Sequence, residues 1–188
     1  GATPILAKKK DEVLSAEVMI VPGVGAFGSC IAALERSGLS AAVKQVAISD
    51  RPVLGICVGM QLLFDKGEEF GSHAGLGLIK GDVVAMPPYG KDGQARKIPH
   101  IGWSRLLPPK ATWSSTIFEG VKPGDECYFV HSFEVVPIDP HNYLAVCDYK
   151  EVPFCAAVQK NNLIGVQFHP EKSGPVGLKI LNNFIHKA

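Results

Sequence analysis

Residues 51–61, RPVLGICVGMQ, decide which fold this chain adopts. A short apolar run leads directly into residues with helical spacing, which predicts a buried strand over RPVLGI and a helix that begins at VGMQLLF. Cys57 lies at the junction, with Gly55 and Gly59 two residues away on either side. Glycines relieve crowding where a strand turns sharply into a helix. The pattern is typical of a nucleophile elbow.

A second apolar run, EVMIVPG, ends at Pro22 and Gly23 in a glycine-rich loop. Because it is almost continuously apolar, we expect this strand in the middle of a sheet that is covered on both faces. Residues 29–48 carry apolar residues at helical spacing with an interruption at Gly38, which predicts two helices. The order strand, helix, strand, helix predicts an α/β domain with a parallel core.

The second half of the chain, from Leu76, is predicted to be rich in β-strands. Short apolar or alternating runs are separated by turn signals, and KNN at 160–162 predicts a hairpin turn. We expect antiparallel strands added to the parallel sheet. The chain ends in an amphipathic helix with Pro175 near its first turn, which should pack against the sheet.

Composition limits the classes of function. At 188 residues, with a formal net charge of +1, the chain is expected to form one domain over 1–188 with no nucleic-acid or membrane partner. The five cysteines form no CxxC pair, which disfavours a metal site or a disulfide framework. No secretory or membrane-spanning segment is apparent in the sequence, so a cytoplasmic protein is expected. No cofactor is expected.

Cys57 has two interpretations. A thiol at a helix N-terminus has a lowered pKa, and the resulting thiolate can attack a carbonyl carbon. Alternatively, a free cysteine can be a small buried hydrophobe. The strand, GxCxG and helix context favours the nucleophile.

A nucleophilic thiol needs a proton carrier, and GVQFHPEKS at 165–173 offers one. In an extended segment His169 and Glu171 point to the same face, so the carboxylate can orient the imidazole. The other histidines, at 73, 100, 131, 141 and 186, lack a carboxylate so placed, and those at 73, 141 and 186 are expected to be loop or surface residues.

Acyl transfer also needs hydrogen-bond donors for the developing oxyanion. The Val58 N–H at the elbow is one candidate, and the PGVGAF loop around Val24 is another, because flanking glycines let a peptide plane turn toward the site. That loop could equally be an ordinary turn after a strand. It lacks the GxGxxG spacing and the Walker lysine, which disfavours a nucleotide-phosphate site.

PGVGAF, GICVGMQLLF, PHIGW, YFVHSF and GVQFHPEKS, in this order, resemble the class I (triad) glutamine amidotransferases. Within them the chain is most similar to the glutaminase subunits of imidazole glycerol phosphate synthases. The resemblance implies a three-layer, flavodoxin-like α/β fold with a mostly parallel sheet and antiparallel additions. It also implies that Cys57 attacks the side-chain amide of glutamine, that His169 protonates the departing ammonia, and that Glu171 orients His169.

The same resemblance implies how L-glutamine is held. Gln61 and the segment at His131 and Ser132 should bind it, with Gly25 lining the pocket. A helix face shared by residues i and i+4 does let Gln61 reach a ligand at Cys57. Without the resemblance, Gln61 could equally be a solvated helix residue.

The resemblance also implies a partner, a (β/α)8 cyclase subunit that receives the ammonia and makes imidazole glycerol phosphate. Trp103, Tyr128 and Lys172 resemble the residues of that interface, although composition alone would make the two aromatics core residues and Lys172 solvated. Glutaminases of this family are nearly idle until the partner binds its nucleotide substrate. A peptide flip in the Gly23–Gly25 loop is the natural switch.

One departure concerns the N-terminus: relatives begin with a strand and a helix that precede the equivalent of GATPI, so one βα unit is expected to be missing here. Two other functions remain open. The chain could be the glutaminase of another amidotransferase, such as that of GMP or anthranilate synthesis, although PGVGAF and PHIGW disfavour this. It could also be a non-catalytic binding module with an amidotransferase-like fold, against which the intact Cys57, His169 and Glu171 argue.

Overall fold

Helices and strands alternate in the first third of the chain, and strands dominate the rest. The computed structural model describes residues 2–109 and 112–187. The strands are β1 Met19–Gly23, β2 Val53–Cys57, β3 Lys66–Gly67, β4 His73–Ala74, β5 Gly81–Ala85, β6 His100–Arg105, β7 Glu126–His131, β8 Phe133–Pro137, β9 Tyr143–Tyr149, β10 Val152–Lys160 and β11 Leu163–Val166. The α-helices are α1 Lys10–Leu14, α2 Phe27–Arg36, α3 Leu39–Ala47, α4 Val58–Gln61 and α5 Gly174–Lys187.

The main sheet has five strands in the order β1-β2-β11-β10-β9. β2 pairs in parallel with β1 and β11, whereas β10 runs antiparallel to both β11 and β9. Every residue of β2 is buried. A four-stranded sheet, β4-β3-β5-β8, and the pair β6-β7 complete the β-structure. The predicted α/β class, with parallel strands and antiparallel additions, is confirmed.

β1 differs from its prediction, because it lies at an edge of the main sheet and not in the middle. Its residues alternate in burial: Met19 and Val21 are buried, whereas Ile20 is 41% exposed. A continuous apolar run shows that a strand is largely covered, but it does not reveal whether the strand has one neighbour or two. The prediction of a central strand is therefore wrong.

The two predicted helices between these strands are confirmed as α2 and α3, which are separated by Gly38 at φ 71°. The helix predicted from Val58 is shorter than a usual helix, since α4 ends at Gln61 after four residues. The carbonyls of Leu62 and Leu63 accept hydrogen bonds from the backbone of residues 76, 78 and 79 at 2.8–2.9 Å. These carbonyls therefore bind distant N–H groups instead of the N–H groups of a following helical turn, and the helix ends after one turn.

The carboxyl-terminal elements follow the sequence analysis. β10 and β11 form an antiparallel hairpin whose turn contains Asn161 at φ 54°. α5 buries Ile180 and Phe184 completely. Among the described residues, no helix combines the length and the apolarity that crossing a lipid bilayer requires. That residues 1–188 form a single domain stays a prediction.

Candidate active site

Cys57 sits in a strained backbone conformation at the junction of β2 and α4. It is the last residue of the strand and the N-cap of the helix, with φ 54° and ψ −116°. A residue with a side chain rarely adopts a positive φ, and holding it there costs about 1–3 kcal/mol. Such strain persists only where the surrounding structure enforces it, which is the backbone geometry of a nucleophile elbow.

The glycines beside Cys57 are needed because backbone atoms crowd both positions. A Cβ added to Gly59 would overlap the carbonyl oxygen of Val21 on β1. A Cβ added to Gly55 would lie 2.7 Å from the carbonyl oxygen of Gly59. The turn and the neighbouring strand therefore pack backbone against backbone, as the GxCxG spacing predicts.

His169 is fixed through both its backbone and its ring. Its N–H donates to the carbonyl of Tyr128 at 2.9 Å, and its carbonyl accepts from the Ser173 hydroxyl at 2.7 Å. The ring Nδ1 lies 2.8 Å from Oε1 of Glu171. Because Nδ1 donates to the carboxylate, Nε2 is the nitrogen that can accept a proton.

One cavity of about 310 Å³ brings the predicted residues together. Cys57 and His169, which are far apart in the sequence, both line it. The other predicted residues on its wall are Val24, Gly25, Val58, Gln61, His131 and Ser132. Glu171 contacts Nδ1 of His169 and has a half-exposed side chain. A volume of this size, at the low end for ligand sites, suits a small molecule such as an amino acid.

The environment of the Cys57 thiol differs from the prediction of a lowered pKa. Burial raises its pKa to about 11, although hydrogen bonds from the Val58 backbone and from Gln167 act in the opposite direction. The side chain is only 4% exposed, and a helix of one turn contributes little dipole. The side chain of Cys57 is therefore a thiol at rest, and it would need a base to act as a nucleophile.

This environment predicts how alkylation of Cys57 depends on pH. A thiol with a pKa of about 11 gains thiolate as the pH rises toward that value, so the iodoacetamide rate should increase about tenfold per unit between pH 8 and 10. Peptide mass spectrometry, which reads each cysteine separately, measures this rate. A plateau below pH 9 would contradict the buried thiol.

Gln61 is not a solvated helix residue, because its side chain is 3% exposed. Its amide nitrogen donates to the Phe133 carbonyl at 3.3 Å and to Oε1 of Gln167 at 3.1 Å. Both N–H groups of Gln61 are thus engaged within the protein. The carbonyl oxygen Oε1 is what Gln61 can offer to a ligand in the cavity.

His131 is held in one tautomer by a chain of hydrogen bonds. Its Nδ1 lies 3.0 Å from the Phe133 carbonyl and its Nε2 lies 3.0 Å from Nδ1 of His100, whose Nε2 in turn meets the Ser104 hydroxyl at 3.0 Å. Since Nδ1 of His131 donates to the carbonyl, Nε2 accepts from His100. Burial lowers the pKa of His131 to about 3, so its ring is neutral. Both ring nitrogens are occupied, which leaves the backbone of residues 131 and 132 for ligand contacts.

The loop that follows β1 borders the cavity through Val24 and Gly25. Gly25 has φ 97°, a conformation that favours glycine, and the Val24 side chain is 77% exposed. The Val24 carbonyl accepts a hydrogen bond from the Cys30 thiol at 3.3 Å. A thiol is a weak donor, so little holds the Val24–Gly25 peptide in this orientation.

Glu69 is a cavity residue that the sequence analysis missed. Its Oε2 accepts from the backbone N–H of Phe27 at 2.7 Å, at the start of α2. This contact joins residues 42 positions apart in the chain, and no local sequence signal marks it. Glu69 places a carboxylate on the cavity wall.

The prediction that His141 lacks a carboxylate partner requires a correction, since a carboxylate lies beside its ring. Its Nδ1 lies 2.9 Å from Oδ1 of Asp139, which also accepts from its backbone N–H. Asp139 precedes His141 by two residues, the opposite order to the pair at His169, and a short 3₁₀ helix brings them together. The His141 side chain is 79% exposed, which agrees with its interpretation as a surface residue.

The three predicted interface residues lie at or near the protein surface. Trp103 and Tyr128 face each other across β6 and β7, with ring centroids 6.0 Å apart. Trp103 is 53% exposed and Lys172 is exposed, so Trp103 is not a core residue. The backbone carbonyl of Tyr128 also accepts the hydrogen bond from the His169 N–H, so this surface is in direct contact with His169.

Two solved structures illustrate the fold that this chain shares with known proteins. One, a crystal structure of a glutamine amidotransferase, superimposes with a TM-score of 0.67 over 95% of this chain and 82% of its own at 15% identity. Another, PurLQS from Thermotoga maritima, gives a TM-score of 0.63 over 90% of this chain and 78% of its own at 21% identity. At such identities the likeness establishes the fold.

Sequence relatives establish the family. The family model Glutamine amidotransferase class-I matches residues 3–188. Imidazole glycerol phosphate synthase subunit HisH 1 of Legionella pneumophila (strain Lens) is 43% identical over 96% of this chain and 85% of its own length. Subunit HisH of Aquifex aeolicus is 46% identical over 92% of this chain and 79% of its own. The chain therefore belongs to the class-I glutamine amidotransferases and, among them, to the HisH family of imidazole glycerol phosphate synthase subunits.

Proposed function

We propose that this chain hydrolyses L-glutamine to glutamate and ammonia, and passes the ammonia to a (β/α)8 cyclase subunit that makes imidazole glycerol phosphate in histidine biosynthesis. The observation that carries the proposal is the meeting of Cys57 and His169 on one cavity wall, with Cys57 in a strained turn and His169 oriented by Glu171. Relatives 42–46% identical that are named as subunits of this synthase support the choice of acceptor. The cytoplasm is its proposed location.

In the first half of the reaction, Nε2 of His169 takes the proton from the Cys57 thiol, and the sulfur attacks the amide carbon of glutamine. Since the buried thiol is protonated at rest, this transfer is needed before attack. Negative charge develops on the amide oxygen, and the Val58 N–H at the elbow is the donor proposed to receive it. The C–N bond then breaks, and His169 returns the proton to the leaving nitrogen, which departs as ammonia.

In the second half, His169 removes a proton from a water molecule that attacks the thioester carbon. The C–S bond breaks, its electron pair returns to the sulfur, the sulfur takes the proton back from His169, and glutamate is released. Glu171 stabilises the imidazolium that forms in each half and keeps Nδ1 as the donor nitrogen.

The cavity also carries groups suited to the amino-acid end of glutamine. The carboxylate of Glu69 offers the charge that an α-ammonium group needs. Oε1 of Gln61 and the backbone at His131 and Ser132 remain for the other polar atoms of the substrate.

The Val24 loop is proposed to complete the oxyanion site only in the active state. The Val24 carbonyl is bound to Cys30, so a peptide turn in this loop would have to break that weak hydrogen bond. A two-state loop of this kind can be biased by partner binding. We place the partner contact at Trp103, Tyr128 and Lys172, close to His169 in space.

Glutamate release measured with and without the cyclase tests the proposal. Adding a folded (β/α)8 cyclase together with its nucleotide substrate should raise the rate at least about tenfold, the size of an ordinary coupling between sites. The same complex with Cys57→Ser supplies the background rate. If a well-folded cyclase produces no increase, the acceptor belongs to another amidotransferase reaction.

A further inference from the structure

Gln167 lies directly beside the sulfur of Cys57. It follows β11, which pairs in parallel with β2, and the last aligned pair is Val166 opposite Ile56. The next residues along the two strands are therefore Gln167 and Cys57. Gln167 is 0% exposed, and its backbone N–H is tied to the Ala156 carbonyl at 2.8 Å.

The hydrogen bonds of Gln167 fix which end of its amide faces the sulfur. Oε1 accepts from Nε2 of Gln61 at 3.1 Å, and Nε2 lies 3.6 Å from the Sγ of Cys57. Gln61 is in turn held by the Phe133 carbonyl. Reversing the amide of Gln167 would put its N–H groups against those of Gln61, so the fixed chain presents an N–H to the thiol.

We propose that Gln167 is a further catalytic residue, whose side-chain N–H donates to the Cys57 sulfur and stabilises the thiolate that forms on the way to the thioester and again when the thioester is cleaved. The catalytic role of Gln167 rests on the proposed glutaminase function. The contact itself is a property of the resting chain.

The chemistry gives this donor a distinct task. Sulfur in this site is buried, and a buried anion is unstable without donors. The Val58 backbone also contacts the sulfur, but the oxyanion needs the same N–H once glutamine is attacked. Gln167 is then the donor that stays with the sulfur. A hydrogen bond to a charged acceptor is stronger than one to a neutral thiol, so the contact favours the anion over the resting form.

The test is the pH profile of Cys57 alkylation by iodoacetamide in Gln167→Met, which keeps the side-chain length and loses the N–H. We expect the profile to move upward by about one pH unit, with about a tenfold slower rate at pH 8. Gln159→Met is the matched control, because the side chain of Gln159, on the adjacent strand β10, donates to the nearby Asn161 carbonyl at 3.3 Å and not to the Cys57 sulfur. Its profile should equal that of the wild-type chain.

A second variant and a second readout separate the outcomes. Gln167→Glu, of the same shape, should move the profile further upward, because a carboxylate beside the sulfur disfavours the thiolate. In the complex with the cyclase, Gln167→Met should lower kcat with little change in KM. A folded Gln167→Met variant with an unchanged alkylation profile would overturn the inference, whatever the result of the glutamate assay. A failed glutamate assay with a shifted profile would instead count against the proposed function.

Substitutions at a fully buried position can prevent folding, and the wild-type chain offers a test without them. With ¹⁵N-labelled glutamine, the side-chain amide proton of Gln167 should shift when iodoacetamide modifies Cys57. The resonances of Gln159 should stay in place. An unmoved Gln167 amide would refute the hydrogen bond.

Discussion

Replacing Cys57 by alanine or serine is expected to reduce glutamate release at least about 10³-fold, because among the described residues Cys57 supplies the thiol that lines the cavity. The serine hydroxyl is a far weaker nucleophile than a thiolate and is held in the same buried turn. The side chain of Cys57 is small and the replacements are smaller or equal in size. The fold should therefore persist, which circular dichroism can verify.

Covalent trapping gives the same assignment a direct readout. A glutamine analogue with an electrophilic side chain should add once to the wild-type chain, at Cys57, and mass spectrometry of the peptides locates the adduct. Cys147→Ala is the matched control: Cys147 is buried in β9, so its loss should lower stability and leave glutamate release per folded molecule unchanged. Labelling at another cysteine, or unchanged release from Cys57→Ala, would refute the nucleophile.

The local parts of the candidate site could be predicted from the sequence. The elbow depends on an apolar run, two glycines and the start of a helix within seven residues. The HPE sequence predicts the pairing of His169 with Glu171, but the predicted extended segment is wrong, because Pro170–Lys172 form a 3₁₀ helix that brings the carboxylate to the imidazole. In both cases neighbours in sequence are neighbours in space, so short patterns are sufficient.

The remaining parts depend on contacts between distant segments. Glu69 reaches the cavity by binding the start of α2, and Gln167 meets Cys57 because β11 lies beside β2. The raised pKa of Cys57 arises from burial by the whole fold, which outweighs the short helix α4. The position of β1 at the sheet edge likewise depends on strand order and not on its own residues. No pattern within a single segment carries this information.

The second large effect is expected for Gly59→Ala, which should destabilise the chain by more than about 3 kcal/mol or prevent folding. Gly59 lies within α4, where alanine alone would be favoured by about 1 kcal/mol. The added Cβ would, however, overlap the carbonyl oxygen of Val21, a backbone atom of β1 that cannot rotate away. Relief requires β1 and the elbow to separate, which would break the pairing of Gly23 with Cys57.

Gly93→Ala separates this overlap from ordinary glycine strain. Gly93 has φ 74°, and a Cβ there would meet no atom within 4 Å, so only the positive φ is penalised, by about 1–2 kcal/mol. The free energy of unfolding of both variants and of the wild-type chain, from urea denaturation, measures the difference. A Gly59→Ala variant as stable as the wild-type chain would show that β1 and the elbow are not in backbone contact. Greater loss at Gly59 than at Gly93, despite the better helix propensity of alanine, would mean that backbone contact with β1 holds Cys57 in its strained turn.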